Sequence, residues 1–407
     1  MALLRNAALT SLLVVLLAFY VRPRFPETAS NRGTKTAVGL FFKFQDLVAY
    51  LGELIGLDPV QTANSFYNII LLLDQPAADV KEETITIEGV EVSVFRPTEE
   101  SDSPRPGIIH IHGGGFCSLS PAHYANYIRE MVRKTNAVVL SINYRLAPKF
   151  KFPIPFEDCL MVTRHILNNP EKYGIHQEKI GLKGDSAGGN LVAAVSLNIS
   201  LDSNYPERAI KFMSLDYPSL QAVDLRLPSF RKYENGPCFL NKPRMLKYML
   251  RYAFGDLRFY EFFNNNEQYS YLDEKLREHV ASSLLTTNDE DAESDTPLSG
   301  KASVNADEVK EILSVITHPM FSPLIAPDED LAALPPAYIM NCEFDVLRDD
   351  GFLLAERLRL VGVTVEHSYV PSEEHGFIMM VKTEESAMVE LNKFTQFFQK
   401  ILGLNIL

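Results

Sequence analysis

Hydrophobic positions along most of the chain switch repeatedly between a two-residue and a three-to-four-residue period. Residues 83–95 alternate in strand fashion (Ile85, Ile87, Val90, Val92, Val94), which predicts a strand. From there the pattern predicts strand at 108–111, helix at 124–134, strand at 137–142 and helix at 156–168. Strand at 179–183 and helix at 188–200 follow. Near the C-terminus it predicts strands at 337–341 and 364–370, with helices at 352–360 and 385–401. Strands that alternate with helices of this length imply an α/β chain with a mainly parallel, doubly wound sheet.

Two regions break the rhythm. Residues 25–85 hold two amphipathic stretches, near 36–57 and 60–73, in which Leu40, Phe41, Phe44, Leu47, Val48, Leu51 and Leu54 recur at helical spacing. Residues 220–325 are aromatic-rich and helical (Tyr248, Tyr252, Phe254, Phe259, Tyr260, Phe262, Phe263), then run into an acidic stretch at 288–295 expected to be an exposed loop. Together they predict a helical, apolar cap over the C-terminal edge of the sheet, where ligands bind in such folds. The expected organisation is a signal-anchor segment (1–24), an N-terminal cap part (25–85), a first core part (86–219), a cap insertion (220–325) and a second core part (326–407).

The first segment has its own chemistry. Residues 7–21 are uncharged and leucine-rich, with Arg5 before them and Arg22 and Arg24 after. As a helix the run would span about 22 Å, short of a bilayer core of about 30 Å, which suits a signal-peptide core. It ends in Phe19-Tyr20-Val21-Arg22-Pro23, with no small residues where a peptidase would cut. The reading favours an uncleaved signal anchor, so that the chain meets a membrane through its N-terminus; secretion after cleavage is the alternative. The heavier positive charge after the run argues for a cytosolic domain.

Composition changes little in this picture. A hydrophobic fraction of 46% suffices for a large core. The net charge of −13 speaks against nucleic acid as a partner, since phosphate would be repelled. Neither a His-Glu-x-x-His nor a Cys-x-x-Cys pair occurs, so no metal and no cofactor is expected.

The chemistry sits at strand ends. Gly184-Asp185-Ser186-Ala187-Gly188 falls between a predicted strand and a predicted helix, where flanking glycines allow a turn tight enough to present the serine hydroxyl. His112-Gly113-Gly114-Gly115 follows another strand, and its N–H groups, with that of Ala187, can bind the oxyanion of a tetrahedral intermediate. A serine nucleophile needs a base and an orienting carboxylate. Of the histidines after Ser186, His279 and His318 fall in the cap and its exit and His367 inside a strand. His375 lies in a loop just past that strand, as the base requires. Asp345, just past the 337–341 strand, is the best-placed acid. Glu343 is nearer the strand, and Asp349 and Asp350 suit the first turn of the next helix.

His112-Gly113-Gly114-Gly115-Phe116, Asn143-Tyr144-Arg145-Leu146-Ala147-Pro148, Gly184-Asp185-Ser186-Ala187-Gly188-Gly189-Asn190, residues 345–351 and His375-Gly376-Phe377 resemble the hormone-sensitive-lipase branch of the α/β-hydrolases, and within it the arylacetamide deacetylase group. The resemblance implies the α/β-hydrolase fold. It implies a serine carboxylester hydrolase for small lipophilic esters or aryl amides, with Ser186, His375 and Asp345 as its triad. It also implies an anchored, type II protein with its catalytic domain in the lumen of the endoplasmic reticulum, and a Cys117–Cys342 disulfide, which needs that oxidising compartment. The other readings are a ligand-binding module that has kept the fold without catalysis, and a peptidase on the same fold.

Overall fold

The structure is a computed structural model, which describes residues 23, 25–71, 74, 76–205, 209–234, 236, 239–285 and 304–404. The expected anchor at 7–21, the acidic stretch at 288–295 and Cys238 lie outside the described residues.

Eight strands form one sheet: β1 (Val80–Ile87), β2 (Val90–Pro97), β3 (Arg105–Ile111), β4 (Val138–Asn143), β5 (Ile175–Asp185), β6 (Met213–Asp216), β7 (Ala337–Phe344) and β8 (Val365–Glu374). Their order is β1-β2-β4-β3-β5-β6-β7-β8, antiparallel from β1 to β4 and parallel from there to β8. The chain steps outward from β3 to β4, then crosses back to β5. The direction of winding therefore reverses between β3 and β5, and a crevice opens at their C-terminal ends.

Period-two alternation divides the core between the two faces. Ile109 and Ile111 of β3, Val138, Leu140 and Ile142 of β4, and Ala337 and Ile339 of β7 join one apolar cluster. Ile108, Val139, Tyr338, Met340 and Cys342 join the other. Among the helices, α1 (Arg32–Leu54) and α2 (Pro59–Leu71) precede the sheet. The first cluster is covered by α4 (Ile154–Asn168), α5 (Ala187–Ser200) and α7 (Arg348–Leu360), through residues such as Val162, Leu191 and Leu354. The second is covered by α3 (Ala125–Thr135) and α8 (Glu385–Ile401), through Ile128, Met131, Leu391 and Phe394. Helix α6 (Lys242–Phe254) lies within the region expected to be the cap insertion. A parallel sheet buried on both faces is the reason its strands read as nearly unbroken apolar runs.

Two expectations change and one strand is new. The alternating run at 83–95 is a hairpin rather than one strand: Glu88 (φ 50°) and Gly89 (φ 83°) form the kind of two-residue turn that joins antiparallel strands. Strand β6 has four residues, too few to show a period in the sequence. Strands β7 and β8 run on to Phe344 and Glu374, so Asp345 and His375 come directly after the strand ends.

Candidate active site

Ser186 is the single residue between β5 and α5, and it holds φ 53° and ψ −120°. That conformation costs a non-glycine residue about 1–3 kcal/mol and persists only where its surroundings enforce it. Here the Ser186 N–H donates to the Asp216 carbonyl at 2.9 Å. Gly188 lets the first turn of α5 lie against β3: a Cβ there would sit 2.1 Å from the Ile111 carbonyl oxygen. The serine hydroxyl is thereby raised above the C-terminal edge of the sheet.

His375 follows β8 and reaches that hydroxyl. Its Nε2 lies 2.8 Å from Ser186 Oγ, and its Nδ1 lies 2.7 Å from Asp345 Oδ2. Asp345 is held in turn by the Leu347 N–H, which donates to Oδ1 at 2.9 Å. All three side chains are buried, and the Tyr217 ring packs on the imidazole with centroids 4.5 Å apart. The other candidates are engaged elsewhere. Glu343 accepts the Ser372 N–H, Asp349 accepts the Ser229 N–H, and Asp350 accepts from Leu220 and Gln221. Burial raises Asp350 to about 7. His367 bonds Asn341, His279 faces the Ile325 carbonyl, and His318 Nδ1 accepts the Met320 N–H.

The glycine loop departs from expectation at its first two residues. The Gly113 N–H is already committed, donating to Asp185 Oδ1 at 2.9 Å and toward Tyr124 Oη at 3.1 Å. His112 is fully buried, stacked on Tyr144 at 4.3 Å, with Nδ1 2.7 Å from the Gly113 carbonyl. Burial holds its imidazole down at about 4, hence neutral at pH 7. His112 and Gly113 therefore support the loop from behind rather than supply oxyanion donors. Gly114 (φ 108°), Gly115 (φ 61°) and Ala187 border the cavity instead. Asp185, next to the nucleophile in sequence, accepts from Gly113 and from Tyr124 Oη (2.9 Å), and so ties the loop after β3 to the elbow after β5. Burial raises its carboxyl to about 6. Tyr124 carried no sequence signal beyond opening a helix.

The expected Cys117–Cys342 bridge is absent. Cys117, Cys159 and Cys342 are all free and buried. β5 and β6 stand between β3 and β7, so the strands that lead to the two thiols are about three spacings, some 14 Å, apart. A disulfide requires Cα atoms within about 7 Å. The thiols also belong to opposite faces: Cys117 packs in the first cluster, its Sγ 3.9 Å from the Tyr248 carbonyl, and Cys342 packs in the second.

Above Ser186 and His375 lies a cavity of about 510 Å³. Phe41 and Phe42 of α1, Tyr67 of α2, and Leu240, Met245 and Tyr248 in and beside α6 form its walls. The walls are fastened to the floor and to one another. Asn64 donates to the Cys117 carbonyl at 2.9 Å, and Tyr67 Oη meets Tyr248 Oη at 3.4 Å. Lys35 of α1 forms a wholly buried ion pair with Glu373 (2.8 Å), two residues before His375. The Phe239 N–H donates to Glu374 (2.9 Å), whose carboxyl burial raises to about 7.

A serine lifted above a parallel sheet, a histidine and an aspartate in line behind it, and glycine-rich backbone opposite define an α/β-hydrolase. The family model for the alpha/beta hydrolase fold matches residues 108–296 and 283–379, and the chain belongs to that family. It is a carboxylic ester hydrolase. It is similar to arylacetamide deacetylase of Bos taurus, with 33% identity over 92% of this chain and 94% of that protein. It is likewise similar to neutral cholesterol ester hydrolase 1 of Mus musculus, with 33% identity over 91% and 92%. Among solved structures, a Pyrobaculum calidifontis esterase shares the fold with a TM-score of 0.64, at 23% identity over 85% of this chain and 94% of that one.

Proposed function

We propose that the chain hydrolyses lipophilic carboxylic esters through an acyl-enzyme on Ser186. Ser186 Oγ attacks the acyl carbonyl as His375 Nε2 takes its proton, and Asp345 holds the imidazole and stabilises the resulting imidazolium. The N–H groups of Gly114, Gly115 and Ala187 receive the oxyanion. The C–O bond to the alcohol breaks, and the alcohol leaves with the proton from His375. Water then attacks the acyl-enzyme by the same steps, which frees the acid and restores the serine. The observation that carries this reading is the unbroken Ser186–His375–Asp345 hydrogen-bonded chain on the floor of an apolar cavity. In the test, Ser186→Ala lowers turnover of a chromogenic butyrate ester by about 10⁴-fold or more with the fold intact, and abolishes labelling by a fluorophosphonate probe. Undiminished turnover overturns the proposal.

The aromatic and aliphatic walls support lipophilic acyl or alcohol groups, because the cavity offers a substrate tail few polar partners. The deacetylase relatives extend the reading to aryl amides, which ester and anilide substrates competing in one assay decide. The family resemblance supports a lumenal catalytic domain and the positive charge after the N-terminal run supports a cytosolic one; without the Cys117–Cys342 bridge to weigh between them, protease protection in sealed microsomes decides the side.

A further inference from the structure

Helix α1 is built inside out. The residues it buries are small or polar, namely Lys35, Gly39, Gln45, Ala49 and Gly52. Apart from Phe41 and Phe42, which line the cavity, most of its large apolar residues face outward, and with the turn that follows they make a continuous surface. Phe44, Leu47, Tyr50, Leu51, Leu54 and Ile55 are each 49–78% exposed. Leaving so much apolar area in water is unfavourable, at roughly 25 cal/mol for each Å², and a contiguous patch of this kind marks a contact surface. The inward face is not free to rotate outward. Lys35 is locked to Glu373, and Gln45 donates to the Ala63 carbonyl at 2.6 Å. The apolar face is therefore held in place by the fold.

Three observations name what covers it. The patch adjoins the cavity: Ala37 of α1 and Ile69 of α2 line the cavity and are themselves exposed, so they form its rim. Only residues 22–31 separate α1 from the uncharged run at 7–21, a tether of at most about 35 Å between a membrane-compatible segment and this helix. Helix α1 also carries Lys43, Asp46 and Glu53. It is not apolar enough to cross a membrane, as holds for every helix among the described residues, but it has the make-up of a helix lying in an interface.

We infer that the outward face of α1 and its following turn seats on a lipid bilayer, with the cavity rim at Ala37 and Ile69 facing the membrane so that lipophilic esters pass from the bilayer to Ser186 without crossing water. The net charge of −13 makes a zwitterionic surface the fitting one, since an anionic surface would repel the chain. The use of the cavity rests on the esterase reading above; the seating itself does not.

The chain contains no tryptophan, so a single introduced one reports on its site alone. The full chain is reconstituted in phosphatidylcholine vesicles bearing brominated acyl chains, as Leu51→Trp, Leu54→Trp and, for control, Leu360→Trp. Leu360 is an exposed apolar residue at the far end of α7. The expected result is bromolipid quenching and protection from acrylamide at 51 and 54, with the reverse at 360. Acrylamide quenching at 51 and 54 overturns the inference. So does protection from both quenchers, which would mean that protein covers the face, whether a second copy or the chain's own N-terminal segment. As a second arm, Leu47→Asn/Leu51→Asn/Leu54→Asn keeps turnover of a soluble butyrate ester within about twofold and lowers turnover of a long-chain ester embedded in vesicles by about tenfold or more. Equal losses on both substrates overturn the membrane route, and the tryptophan readout stands whether or not Ser186 is the nucleophile.

Discussion

Helices α5 and α1 are both rich in apolar residues, and the fold uses them in opposite ways. Helix α5 buries every residue from Ala187 through Leu197, so its backbone and side chains are fixed from all sides, and Ser186 at its N-terminus inherits that rigidity. Helix α1 turns small and polar residues inward and leaves Phe44, Leu47, Tyr50, Leu51 and Leu54 outside, while reaching the cavity with Phe41 and Phe42. The catalytic floor is thus a solid part of the core, and the wall is an attached layer. The comparison teaches that apolar content alone does not tell whether a helix is core. What decides is whether the facing partner offers room for large side chains or, as under α1, only for glycine, alanine and a few tied polar groups.

The contrast can be broken at both helices. The largest effect belongs to the core: Leu191→Ala in α5 should cost about 2–5 kcal/mol in urea denaturation, because a fully buried side chain leaves a cavity. Glu374→Gln tests the joint between floor and wall. The folded state keeps the Glu374 proton up to about 7, whereas an unfolded glutamate loses it near its ordinary value of 4.5, so the wild type loses stability as pH rises between these values. The glutamine still accepts the Phe239 N–H and does not titrate. Its stability should fall less from pH 5 to pH 8, by as much as about 3 kcal/mol, with Lys35, Glu373 and His375 as the charged or titratable neighbours. Gln45→Leu should cost about 1 kcal/mol by removing the hydrogen bond that ties α1 to the Ala63 carbonyl of α2, which would show that the polar inner face of α1 holds the helix in register. Leu51→Ala should change the stability of the lipid-free chain by no more than about 0.5 kcal/mol, since it removes no packed contact of the core. A loss at Leu51 equal to that at Leu191 would erase the distinction.

Much of the floor was legible because its signals are local. The Gly184–Gly188 motif describes a turn whose geometry is set within a few residues, and His375 and Asp345 were found from their places just beyond strands. Even so, the strands proved longer than their apolar periods, since β7 continues through Glu343 and β8 through Ser372, Glu373 and Glu374, held by pairing with each other's backbone. The support behind the floor was not legible. The pairing of Asp185 with Gly113 joins residues 72 positions apart, and the share of Tyr124 in it has no motif. The disulfide, expected from the family resemblance, failed for a related reason: the strand order of the folded chain puts β5 and β6 between the two thiols.

By itself the sequence determined the alternation of strands and helices, the elbow that lifts Ser186, and the places of His375 and Asp345 just beyond strands, because each depends on backbone preferences within one short segment. Tertiary structure alone decided which glycine N–H groups stay open to a ligand, that Cys117 and Cys342 stay apart, and that α1 shows its apolar face to the outside. Those outcomes depend on what distant parts of the chain place next to each residue, and a neighbour's size and hydrogen-bonding needs cannot be read from the residue's own position in the chain.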